Sequence, residues 1–126
     1  MENQPPKVVI EKIALYENNY VGYGKVWSAA KLIQFCKEKD YPIFDLPLAG
    51  VNLARMPFAV DNLDNFIYQF QRVNNCDLEH PIILDHYGGI ADGNHRICKA
   101  ILEGRTTIKA IRMVEMPTHD SEVKED

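Results

Sequence analysis

Asp92-Gly93-Asn94-His95-Arg96 sets a carboxylate, an unhindered glycine backbone, an amide, an imidazole and a guanidinium in five consecutive residues. They fall where a short apolar strand, a turn and a returning strand meet the expected start of a helix. The first backbone N–H groups of a helix have no partner within it, and its dipole is positive at that end. A glycine that lets an anion approach, with His95 and Arg96 to clamp it, makes such a start a phosphate site. An arginine there stands against the dipole, which is easier to understand if an anion joins it. Asp92 has three open roles: to hold Mg²⁺, to orient a hydroxyl for phosphoryl transfer, or to cap the helix. Asn94 either donates its amide to a phosphate oxygen or steadies the turn.

Other reactive residues carry weaker signals. His80, His86 and His119 scatter over loops and tail, and with Asp85 they show no ligand spacing, so surface histidines are the expectation. Gly22-x-Gly24-Lys25 lacks the rest of a phosphate-loop fingerprint and is expected to be an ordinary loop. Cys36, Cys76 and Cys98 are an odd, scattered set without a CxxC pair, which supports neither a disulfide framework nor a zinc ribbon. A reducing, cytoplasmic setting is expected.

The elements that must position the turn follow from periodicity and punctuation. Val8 to Tyr16 is β-branched and aliphatic enough for a strand, and Asn18 to Lys25 is expected to be a loop. A helix from the Ser28 cap to about Lys39 carries Ala29, Leu32, Ile33 and Cys36 at helical spacing. Tyr41 to Leu53, with two prolines, suits an edge strand with irregular flanks. Asp61 is expected to cap a second helix with an apolar stripe of Leu63, Phe66, Ile67, Phe70 and Val73. Pro81 to Asp85 and Gly89 to Ala91 form a hairpin. A third helix runs from about Asn94 to Glu103 with Gly104 as its left-handed stop. Its core face should be Ile97, Cys98, Ile101 and Leu102, and Thr106 to Val114 is a last strand.

At 126 residues, 46% hydrophobic and 25% charged, the chain is of ordinary globular composition and suits one domain. It has no apolar run of about 18 residues for a membrane span, and no signal peptide is expected from its polar start. The formal charge is −4. Four acids (Asp120, Glu122, Glu125, Asp126) and one base (Lys124) give 117–126 a net of −3, which leaves −1 for the rest. That balance speaks against a general nucleic-acid binder. The expectation is an α+β domain over 1–116, a small mixed sheet with packed helices, and a disordered acidic tail over 117–126.

The string PIILDHYGGIADGNHRICKAILEG, followed by a strand, resembles the ParB/sulfiredoxin superfamily, most of all its small stand-alone ParB-like proteins with a DG-x-HR motif. The likeness runs from Pro81 to Val114 and extends more weakly to the preceding helix. It implies a nucleotide site. ParB clamps bind CTP with a Gly-Glu-Arg-Arg stretch at this helix start, on which Gly93, Asn94, His95 and Arg96 fall. Sulfiredoxins place their catalytic cysteine where Asn94 stands, so sulfinic-acid reduction is not expected. ADP-dependent serine kinases of the superfamily carry Asp-Gly-x-His-Arg, matched by Asp92 to Arg96, with an upstream glutamate as base (here Glu11 or Glu17). The ParB Gln-Pro-Arg segment is missing and no helix-turn-helix follows, so a full partition protein is not expected. The resemblance thus implies a cytoplasmic nucleotide-binding protein, taking ATP, ADP or CTP with or without Mg²⁺. Gly93, Asn94, His95 and Arg96 would hold the phosphate, and Asp92 and His95 would be the catalytic pair if the protein is a weak NTPase or small kinase. The alternative is a phage- or plasmid-type nucleic-acid accessory or protein-interaction module without catalysis.

Overall fold

The computed structural model describes residues 4–11, 19–58 and 60–123. The fold is α+β, with three helices and two sheets among these residues. A hairpin of β1 (Asn19–Gly22) and β2 (Lys25–Ser28) leads into α1 (Ala29–Lys39). Next come β3 (Phe44–Pro47), a 3-10 turn over Leu48–Gly50, and α2 (Leu63–Asn75). The chain continues through β4 (Ile82–Leu84), β5 (Ile90–Asp92), α3 (Asn94–Leu102), β6 (Thr107–Arg112) and β7 (Ser121–Glu122). The larger sheet has the order β3-β6-β4-β5; β4 and β6 run parallel and the other pairs antiparallel. The smaller sheet is β1-β2-β7, antiparallel throughout.

Strand β4 lies inside the larger sheet and divides the core by its alternation. Ile82 and Leu84 face α3 with Leu48, Ile97, Ala100, Ile108 and Ala110. Ile83 faces the other way, toward Trp27, Leu32, Cys36 and Met113. The floor under the Asp92–Arg96 turn is therefore packed from both sides.

Several elements stand as the sequence suggests. Ser28 caps α1 by accepting from the Lys31 N–H, β3 is an edge strand, and Gly104 stops α3 at φ 76°. Others differ, each for a physical reason. Val8 to Glu11 is irregular, with both valines exposed, and the remainder of the strand expected up to Tyr16 lies outside the described residues. The expected loop after it is the β1–β2 hairpin. Tyr23 and Gly24 both take positive φ (57° and 73°), as a tight two-residue hairpin turn demands. The cap of α2 is Asn62, which accepts from the Asn65 N–H, and not Asp61.

The stripe on α2 is largely turned outward. Leu63, Phe66 and Phe70 are exposed, whereas Gln69 and Val73 are buried. On α3 the buried positions are Ile97 and Ala100, while Leu102 is exposed. The small Ala100 lets the helix lie close on the sheet, a choice that hydrophobic spacing alone does not reveal. Residues 117–123, expected to be a loose tail, are tied down. Trp27 Nε1 donates to the Pro117 carbonyl at 2.8 Å, the Ser28 N–H donates to Asp120 Oδ2 at 2.7 Å, and β7 pairs with β2.

Candidate phosphate site at the start of helix α3

The β4–β5 hairpin delivers Asp92 to the foot of α3, and Gly93 makes the turn. Its φ of 113° is one that side chains rarely adopt. A Cβ there would overlap the Ile82 side chain and lie 3.0 Å from Arg96 Nη2. Gly93 is the residue before the helix, its carbonyl accepts from the Ile97 N–H, and no side chain caps the turn. Asp92 is adjacent but is not the cap: its Oδ2 accepts from Arg96 Nη2 at 3.0 Å, an ion pair one helical turn long. Among the described residues, the opening N–H groups of α3 are thus left without the side-chain acceptor that most helix starts recruit.

His95 is held from two sides. Its ring stacks on Phe58, centroids 4.5 Å apart and planes 10° from parallel, and its Nε2 lies 2.7 Å from Gln69 Oε1. Burial first, then the Arg72 and Arg96 charges, push its pKa down to about 4. The imidazole is therefore neutral at pH 7 and serves as a hydrogen-bonding group, not as the cation that neutralises a phosphate. A neutral ring has one N–H. If it donates to Gln69, Nδ1 is an acceptor. If the Gln69 amide is turned so that its nitrogen donates to Nε2, Nδ1–H becomes a donor for an anion. Gln69 is 2% exposed and its Nε2 has no partner among the described residues, so the amide's orientation is the switch between these tautomers.

The turn faces two cavities. A small one of about 80 Å³ is lined by Asp92, Gly93, Asn94 and His95 together with Phe58 and Arg72. A larger one of about 510 Å³ lies between α1 and the sheet and is lined by Asp92 and Arg96. Of the five motif residues only Asp92 borders both. Adjacent residues on a helix point about 100° apart, and here that separates His95 from Arg96. Gly93, Asn94 and His95 are brought together as expected. Arg96 is not, and the cation bordering the small pocket is Arg72 of α2.

Sequence reasoning missed Arg72, Gln69 and Phe58. The first two lie three residues apart on α2 and so share a face, but their stripe is hidden beneath a more hydrophobic one. Arg55 is a further addition: its Nη2 donates to Asn94 Oδ1 at 2.7 Å, which orients the Asn94 amide. Of the two glutamates considered as bases, Glu11 is exposed in an irregular segment and Glu17 lies outside the described residues.

Asp85, at the other end of the hairpin, is 2% exposed. Its Oδ1 accepts from the N–H groups of Tyr87 and Gly89, both at 2.9 Å. Its Oδ2 accepts from the hydroxyls of Tyr20 at 2.6 Å and Tyr23 at 3.2 Å. Burial works against the charge, but these bonds outweigh it and hold the carboxyl below its ordinary value. Asp85 is a structural rivet between the hairpin and the smaller sheet.

Among the described residues no three His, Cys, Asp or Glu gather as a metal would need. Asp92 shares its carboxylate with Arg96, a poor fit for a resident cation. No helix among the described residues is long and apolar enough to cross a membrane. No family model, no curated protein and no solved structure matches the chain.

Proposed function

We propose that the chain is a ParB-like nucleotide-binding protein that takes a phosphate group at the opening turn of α3. The observation that carries this is the uncapped turn: its carboxylate neighbour pairs with Arg96 while a pocket opens at the N–H groups. About 80 Å³ is more than twice the share of one water in the liquid, room for a phosphate group but not for a nucleoside. Gly93 permits close backbone approach. Asn94, oriented by Arg55, offers its amide and Arg72 supplies positive charge, while neutral His95 offers Nδ1–H when the Gln69 amide is turned to donate to Nε2.

Binding is the activity this geometry supports. A phosphoryl-transfer role for Asp92 requires its carboxylate to leave Arg96 and accept a hydroxyl proton. A thermal-shift panel of ATP, ADP, CTP and GTP, with and without Mg²⁺, tests the proposal, because a ligand bound only to the folded state raises the melting temperature. At least one nucleotide should stabilise the protein. Asn94→Asp, which puts a carboxylate at the turn, should remove the shift. No shift from any nucleotide, together with salt-dependent retention on DNA, would support the accessory-module alternative instead.

A further inference from the structure

The turns of two hairpins, one from each sheet, meet at the surface and bring three aromatic rings together. Tyr23 lies in the β1–β2 turn, and His86 and Tyr87 lie in the β4–β5 turn. The Tyr23 ring centroid is 5.7 Å from that of His86 and 5.6 Å from that of Tyr87, and the His86 and Tyr87 centroids are 4.0 Å apart. Tyr87 nonetheless stays 71% and Tyr23 55% exposed, so the cluster keeps much of its ring surface in solvent. It is also held in place. The Tyr23 hydroxyl donates to Asp85 Oδ2 at 3.2 Å, and Arg112 Nη2 donates to the His86 carbonyl at 3.0 Å. Rings fixed before a ligand arrives lose little freedom when it stacks on them.

Charge narrows the choice of ligand. Arg112 ends β6 in register with Leu84, at the root of the β4–β5 turn, and Lys25 opens β2 directly after Tyr23-Gly24. Both are exposed, and among the described residues neither pairs with a carboxylate. Asp85, the acid of the same turn, has both oxygens taken by protein donors. Glu122 of β7, opposite Lys25 in the sheet register, is the acid that works against an anion here. Two uncompensated cations rule out an ammonium ligand, which an aromatic cluster would otherwise suit. They call for an anion that carries flat rings of its own. A single nucleic-acid strand has both, a π-face on every base and a phosphate between neighbours. In a duplex those faces are covered.

We propose that Tyr23, His86 and Tyr87 form a stacking platform for single-stranded nucleic acid, with Arg112 and Lys25 on its phosphates. Tyr87, the most exposed of the rings, takes a base. The near-neutral body of the chain and Glu122 keep this binding weak and local, in keeping with the absence of a general basic field. The platform does not rest on the phosphate reading of α3.

Fluorescence anisotropy on the full chain tests it, with labelled oligothymidine and oligouridine of about ten nucleotides. Protein is raised to about 100 μM, the weak end of non-specific binding. At least one strand should bind, less tightly as salt rises, and the pair of strands separates DNA from RNA. A blunt duplex of the same length should bind at least about tenfold more weakly. Tyr87→Ala should weaken the single strand about tenfold, whereas Tyr87→Trp, which keeps a stacking face, should retain it. Arg112→Gln should weaken binding and flatten its salt dependence, and Lys25→Gln carries the same expectation if that variant does not fold. No binding of either strand, a duplex that binds as well, or equal affinity in the parent and Tyr87→Ala overturns the proposal. Tyr87→Ala should leave nucleotide thermal shifts unchanged, so failure of the platform and failure of the α3 site are told apart.

Discussion

Asp85 and Asp92 bracket the same β4–β5 hairpin, yet they do opposite things. Asp85 is sealed in, and four protein donors hold its two oxygens. Among the described residues Asp92 has a single side-chain partner; it remains 23% exposed and borders two cavities. A carboxylate with every lone pair engaged by its own protein holds structure. One with a lone partner and open space beside it is available to a ligand. The difference lies in what converges on each residue, because the two share residue type, hairpin and neighbourhood.

The largest expected effect falls on the sealed side. Asp85→Ala leaves two hairpin N–H groups and two tyrosine hydroxyls without their acceptor. It should cost about 3 kcal/mol or more of stability in urea unfolding. Gly93→Ala follows, at about 2–3 kcal/mol, since it adds left-handed strain and an overlap with Ile82. Asp92→Asn should cost less than either, since its carboxylate loses one ion pair that keeps 18–23% of its side-chain surface exposed, and the amide oxygen can still accept from Arg96. It should nonetheless change the nucleotide response. If Asp92→Asn unfolds the protein as readily as Asp85→Ala, the contrast between the two aspartates fails.

Acid separates the regions further. His95 has a folded pKa near 4, below the ordinary value of about 6.5, so the unfolded chain binds the extra proton first. Its stabilising contribution is complete above about pH 6.5 and declines as pH falls toward 4. Melting temperatures across that window should fall in the parent and fall less in His95→Gln. The carboxyl of Asp85 is also held low, so its contribution is present above about pH 3.9 and is lost only below that value. A parent curve that is flat between pH 6.5 and 4 would contradict the burial of His95.

Much of this was legible in the residues. Ser28, Gly104 and the apolar run Ile82–Leu84 mark a cap, a stop and a buried strand, and Asp92-Gly93 announces the turn. What stayed hidden depends on distance in the chain or on rotation about a helix. Tyr20 lies 65 residues from Asp85 and Gln69 lies 26 from His95, separations across which local pattern carries no signal. The α2 face was misjudged because Phe66 and Phe70 outweigh Gln69 on any hydrophobic count, although Gln69 is the one that is buried. Arg96 was placed beside His95 because both are cationic residue types, but the helical rotation sends it to the other cavity.

The central claim, that the uncapped start of α3 receives phosphate, is tested most directly by calorimetry. The nucleotide giving the largest thermal shift is titrated into the parent and into Asn94→Asp. The parent should bind and the variant, equally stable, should bind at least about tenfold more weakly, a difference of about 1.4 kcal/mol. Equal affinity in the two proteins, or no binding to the parent, would contradict it.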